Sequence, residues 1–137
     1  MTKPVTCVVA EDEQAIAERF AAEGATVAIT ARTLEPTEKY VGSLRETRDG
    51  IEAAGGEAVA IQADLSNSDD RERLMAEVIA QVGSPDILVN NAAVTFLRPL
   101  DEFPEKRARL MLEMHVLAPL HRVFRPRLQI GRASCRE

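Results

Sequence analysis

Three short apolar runs in the sequence end in side chains able to bind a ligand. Residues 26–30 (TVAIT) lead into Ala31 and Arg32, residues 58–63 (AVAIQA) lead into Asp64 and Leu65, and residues 86–90 (DILVN) finish at Asn90 and continue as Asn91-Ala92-Ala93. If these runs are parallel strands, a carboxylate, amide or guanidinium just beyond the carboxyl end stands where doubly wound sheets hold their ligands. Each residue also has a plainer role. Asp64 can open a turn, Asn90 and Asn91 can form a polar turn after a strand, and Arg32 can be a solvated loop charge. A fourth run, 5–10 (VTCVVA), is followed by three carboxylates, Glu11, Asp12 and Glu13. For acid–base work the candidates are His115 and the single tyrosine, Tyr40. Histidine can donate and accept a proton, but on a partly apolar helix it is more often structural. Cys7 and Cys135 lack metal-ligand spacing, so both are expected as free thiols and no metal site is expected.

The elements that must position these residues follow from hydrophobic period. The four apolar runs read as buried strands, and they alternate with longer stretches of helical period, the pattern of an α/β fold with crossover helices. Residues 14–23 place Ile16 and Phe20 four apart before Gly24, a helix stop. Ser43 and Glu46 make a capping box for a helix carrying Leu44, Thr47 and Ile51, closed by Gly55 and Gly56. A third helix follows Ser68, with Leu74, Val78, Ile79 and Val82 on one face and a stop at Gly83. A fourth, from about Pro104 to about Val123, presents Leu110, Met114, Leu117 and His121. The connection 32–42 is long, which predicts either a disordered flap or a ligand contact.

Composition narrows the function. The chain has 137 residues, 45% hydrophobic and 28% charged, the balance of one soluble domain. A net charge of −5, with arginines interleaved among acids, argues against a nucleic-acid partner and leaves a small molecule. There is no eighteen-residue apolar run and no basic-then-apolar leader, so no membrane partner is expected and a cytoplasmic location follows by default. Residues 130–137 (IGRASCRE) resemble the translation of a sequencing-adapter oligonucleotide and break the preceding apolar period. They are expected as a non-native tail, leaving 1–129 as the domain.

From Ala15 to about Gln129 the sequence resembles the short-chain dehydrogenase/reductase family. Asn90-Asn91-Ala92-Ala93 is similar to that family's N-N-A-G motif, with alanine for the last glycine. The resemblance implies a segment running past the ribose and nicotinamide side of the cofactor, where small residues let backbone approach the ligand. Asp64, with Leu65, matches an aspartate that accepts from the adenine amino group. At the end of the second strand NAD-preferring relatives carry an acid; here Ala31 and Arg32 stand instead, which suits a 2′-phosphate and favours NADP(H) over NAD. The implied fold is a partial Rossmann doubly wound parallel sheet of order 3-2-1-4. The implied parent is a homo-oligomeric oxidoreductase acting on a small carbonyl or alcohol substrate.

The departures are as informative. The family's first turn is T-G-x-x-x-G-x-G, whose glycines bring backbone amides to the pyrophosphate. Matched without gaps, its fixed positions are Thr6, Cys7, Glu11 and Glu13, and only the threonine agrees. Two accounts stay open: residues 7–13 resemble the opening of a response-regulator receiver domain, whose acids help bind Mg²⁺, or a local frame error hides the glycine turn. The catalytic Tyr-x-x-x-Lys is absent, because Leu44 stands four residues after Tyr40. The family's serine falls beyond Gln129, and His115 occupies its asparagine position. The expectation is thus an inactive amino-terminal fragment of an NADP(H)-dependent enzyme, with a receiver-like phosphoacceptor domain or a noncatalytic nucleotide-binding module as alternatives.

Overall fold

The computed structural model describes residues 5–10, 14–34 and 43–120. Tyr40, His121, the acidic triplet 11–13 and the tail 130–137 lie outside them. Four strands, β1 (Thr6–Ala10), β2 (Thr26–Ala31), β3 (Glu57–Gln62) and β4 (Ile87–Asn90), form one parallel sheet in the order β3-β2-β1-β4. This is the expected topology. It also removes the receiver-like alternative, whose sheet needs the third strand beside the first; here β2 separates them.

Strand side chains alternate between the two faces, and each face carries its own core. On one, Val9, Val27, Ile29 and Ala58 pack with Ala17 and Ala21 of helix α1 (Gln14–Ala22) and Leu44 and Ile51 of α2 (Leu44–Ala53). On the other, Val8, Ala28 and Ile61 pack with Leu74, Met75 and Val78 of α3 (Ser68–Val82) and with Met114. Local signals set the helix ends. Ser43 Oγ accepts from the Glu46 N–H at 3.1 Å, and Asn67, one residue ahead of the expected start, caps α3 by accepting from Asp69 and Asp70. Gly24 follows α1 at φ +87°, a conformation that side chains with a Cβ resist. At Gly56 a Cβ would stand 2.9 Å from Ile51 Cγ2, so only glycine lets the chain leave α2 this closely.

Two side-chain expectations fail. Ile79 is 40% exposed, and Met75 takes its place in the stripe of α3. In the last helical region, α4 (Glu105–Leu112) passes through a π-helical turn, Glu113–Leu117, into the helical stretch Ala118–Leu120. Met114 joins the core with Leu110 packed against it and Ala118 is buried, while Leu117 is 49% exposed.

Candidate functional site

The carboxyl ends of the strands lie level. Ala10 pairs with Thr30 on one side and with Asn90 on the other, and Ala31 pairs with Gln62. The chain moves outward from β1 through β2 to β3, then returns past β1 to β4. That reversal opens a switch point beyond Ala10 and Asn90, the place where open α/β sheets bind ligands.

On the β3 side, Asp64 anchors a turn. Its Oδ1 accepts from the Ser66 N–H at 2.9 Å and from Ser66 Oγ at 2.6 Å, so among the described residues Oδ2 is the oxygen left for a ligand. The Asp64 N–H donates to Asp70 Oδ2 at 2.9 Å. That bond, aided by Arg73, holds the Asp70 carboxyl below the usual range. Arg73 in turn donates to Glu77 and Asp70, and those acids push its own pKa up. Gln62 Nε2 donates to the Arg32 carbonyl at 2.7 Å. Arg32 and Asp64, from different loops, therefore line one open hollow of about 570 Å³ with Gln62, Asp70 and Arg73.

On the β4 side, Asn90 and Ala93 are exposed and Asn91 is half-buried, whereas Ala92 and Val94 pack against the core under α3. His115, central in the π turn, holds this segment from behind. Its Nε2 lies 3.1 Å from the Val94 nitrogen and 2.9 Å from the Val94 carbonyl oxygen. One nitrogen cannot serve both at once: the Nδ1–H tautomer accepts from the amide, and an Nε2–H donates to the carbonyl. Either way His115 ties α4 to the chain just after Ala93. Farther along, Phe96 meets Phe103 edge-on at 5.5 Å, with the Arg107 guanidinium 5.2 Å from the Phe96 ring centre.

Arg71 joins the two sides. This residue is 2% exposed; its Nη1 donates to the Leu65 carbonyl and its Nη2 to Glu113 Oε1 at 2.7 Å. One guanidinium thus links the residue after Asp64 to the residue two before His115. Nothing in the sequence pattern singled it out, since an arginine in a helical stripe reads as surface.

The expected site residues do not all meet. Ala31, Arg32, Asp64, Asn90, Asn91, Ala92 and Ala93 gather along the carboxyl edge. Leu65 follows Asp64, but its side chain is core. Thr6 is at the opposite end of the sheet: it opens β1, its N–H donates to Asp86 Oδ2 at 2.9 Å and its hydroxyl to the Val82 carbonyl at 3.3 Å. Ungapped matching to the glycine turn and membership of a strand were incompatible for Thr6, and the strand prevails because its apolar neighbours have a core to fill. Only residues 11–13 then connect β1 to α1. Among the described residues no helix is long and apolar enough to cross a membrane.

Comparison with known proteins agrees with this geometry. The family model described as short chain dehydrogenase matches residues 13–124. Hydroxysteroid dehydrogenase-like protein 2 of Pongo abelii is 34% identical over 102 residues, covering 74% of this chain and 24% of that protein. The chain therefore spans about a quarter of the length of the curated relatives it matches. A short chain dehydrogenase of Mycobacterium thermoresistibile is similar with a TM-score of 0.77 and 36% identity, over 83% of this chain and 42% of that one. A metagenomic short-chain oxidoreductase in complex with NADP gives a TM-score of 0.75 and 33% identity, over 87% and 54%. The chain belongs to the short-chain dehydrogenase/reductase family.

Proposed function

We propose that residues 1–129 are the amino-terminal, nucleotide-binding part of an NADP(H)-dependent oxidoreductase acting on a carbonyl or alcohol, with 130–137 a non-native tail. The observation that carries this is the level placement of Arg32, Asp64 and Asn90 to Ala93 along one carboxyl edge, on both sides of the switch point. The family binds nicotinamide cofactors, and one similar structure holds NADP. At Ala31 no carboxylate opposes a 2′-phosphate, and Arg32 can fork two of its oxygens.

The nucleoside half of such a cofactor fits the residues present; the diphosphate does not. Its usual seat is a glycine-rich turn at a helix amino terminus, and here three acids make that connection. The roles assigned to this chain are accordingly in binding: Arg32 for the 2′-phosphate, Asp64 Oδ2 for an adenine amino group, and Asn90 to Ala93 as the small-residue floor. His115 acts on the backbone of Val94 rather than on a substrate. The sequence has no Tyr-x-x-x-Lys pair to serve as the family's proton donor, and we expect no turnover of ketones or aldehydes. Calorimetric titration with NADPH and NADH tests the assignment. A preference for NADPH should disappear in Arg32→Ala, whose lost contact is worth about 1.5–3 kcal/mol. A preference that survives the substitution would overturn the role of Arg32.

A further inference from the structure

Resting on that proposal for what the segment Asn90 to Ala93 holds, we infer that His115 is a positioning residue switched by a proton. Neutral, it fixes the peptide that closes the floor of the site; protonated, it releases that peptide and holds the next one. The geometry is specific. His115 Nε2 stands 3.1 Å from the Val94 nitrogen and 2.9 Å from the Val94 carbonyl oxygen, and among the described residues no other group bonds to either. The two groups belong to different peptide planes. The Val94 N–H lies in the plane shared with Ala93, the last residue of the floor, whereas the carbonyl lies in the plane shared with Thr95, outside it.

A neutral ring has to choose one plane. Val94 is half-buried, and an N–H left there without an acceptor is the costlier omission, because carbonyls, with two lone pairs, are tolerated under-bonded more often. The neutral ring therefore carries its proton on Nδ1 and accepts from the Val94 N–H. A second proton makes donors of both ring nitrogens, which removes that acceptor and turns Nε2–H to the carbonyl in a charge-assisted bond. Histidine changes charge between about pH 5 and pH 8, and this ring is exposed, so solvent sets its state. No charged group of the described residues bonds to it. Its own turn carries Glu113, whose Oε1 accepts from Arg71 of α3. On α4, Arg109 pairs with Glu105, Arg107 lies over Phe96 and Lys106 is exposed, while residues 90–97 contain no ionisable side chain.

The test is an NMR pH titration of the isotope-labelled 137-residue chain without ligand. At about pH 8, long-range proton–nitrogen correlation should find the His115 ring protonated on Nδ1. As the pH falls to about 5, the Val94 amide proton should move upfield, as loss of its acceptor requires, in step with the His115 ring nitrogens and with β2 and β3 amides unmoved. In His115→Gln the side-chain amide supplies an acceptor and a donor together and does not titrate, so the Val94 amide shift should stay flat over that range. A proton on Nε2 at the high-pH end, a Val94 amide that ignores the titration, a shift spread evenly over the sheet, or a titration that persists in His115→Gln would each overturn the inference. None of these outcomes touches the nucleotide-binding proposal. That proposal fails instead if adenosine 2′-monophosphate, added at the high-pH end, moves no amide along the carboxyl edge.

Discussion

Removing the Glu113 carboxylate should destabilise the fold more than its half-buried position suggests. The perturbation falls on Arg71, which is 2% exposed and has a guanidinium bonded only to Glu113 and the Leu65 carbonyl, with Nε buried and unbonded among the described residues. A charge-assisted hydrogen bond contributes about 1.5–3 kcal/mol. Leaving a fully buried charge without its counterion costs about 3–5 kcal/mol. Glu113 is 29% exposed, so water can reach part of the vacated space and the cost should fall toward the lower range, about 2–3 kcal/mol. The double substitution Arg71→Met/Glu113→Leu removes both charges and fills the space with apolar atoms, and should recover to within about 1 kcal/mol of the original. Urea denaturation followed by circular dichroism measures all the chains in one double-mutant cycle. If Glu113→Leu costs less than about 0.5 kcal/mol, or if the double variant is as unstable as the sum of the two singles Arg71→Met and Glu113→Leu, the pair is not the tie between α3 and the π turn described above.

Three further outcomes follow from the same contacts. The Asp70 carboxyl is held low by the Asp64 N–H, so its contribution is present above the unfolded-state value and is lost as pH falls through the depressed folded one. In Asp70→Asn that part of the acid-side fall in thermal midpoint should be missing; identical pH profiles would contradict the bond. Leu74→Ala opens space in the core between α3 and the sheet and should cost about 2.7–5 kcal/mol by chemical denaturation. His115→Ala should raise amide hydrogen exchange at Val94 and its neighbours while leaving β2 and β3 unchanged, and a uniform change would show a global effect instead.

The architecture was legible because period and punctuation agree. β-branched runs separated by capped amphipathic stretches have few arrangements, and the Asn90 to Ala93 segment after DILV narrowed them to one order. The site was legible in half. Arg32 follows β2 directly, Asp64 is the second residue past β3 and Asn90 closes β4, so strand register brings them level. Thr6 misled because motif matching ignored the strand that contains it. Arg71 was hidden because its counterion is 42 positions away and its exposure depends on how two helices meet. The contact of His115 with Val94 depends on a π turn, and no local composition marks where a helix will widen by one residue.

The central claim, that the carboxyl edge around the switch point binds a nucleotide through Arg32, Asp64 and Asn90 to Ala93, is tested most directly by amide chemical-shift mapping of the isotope-labelled chain. Adenosine 2′-monophosphate is the titrant. The account predicts progressive shifts at Arg32, Thr33, Asp64, Ser66 and Asn90 to Ala93, with residues at the amino end of the sheet, Thr6 and Glu57 among them, unmoved. Shifts confined to the amino end, or spectra that do not change at millimolar ligand, would contradict it.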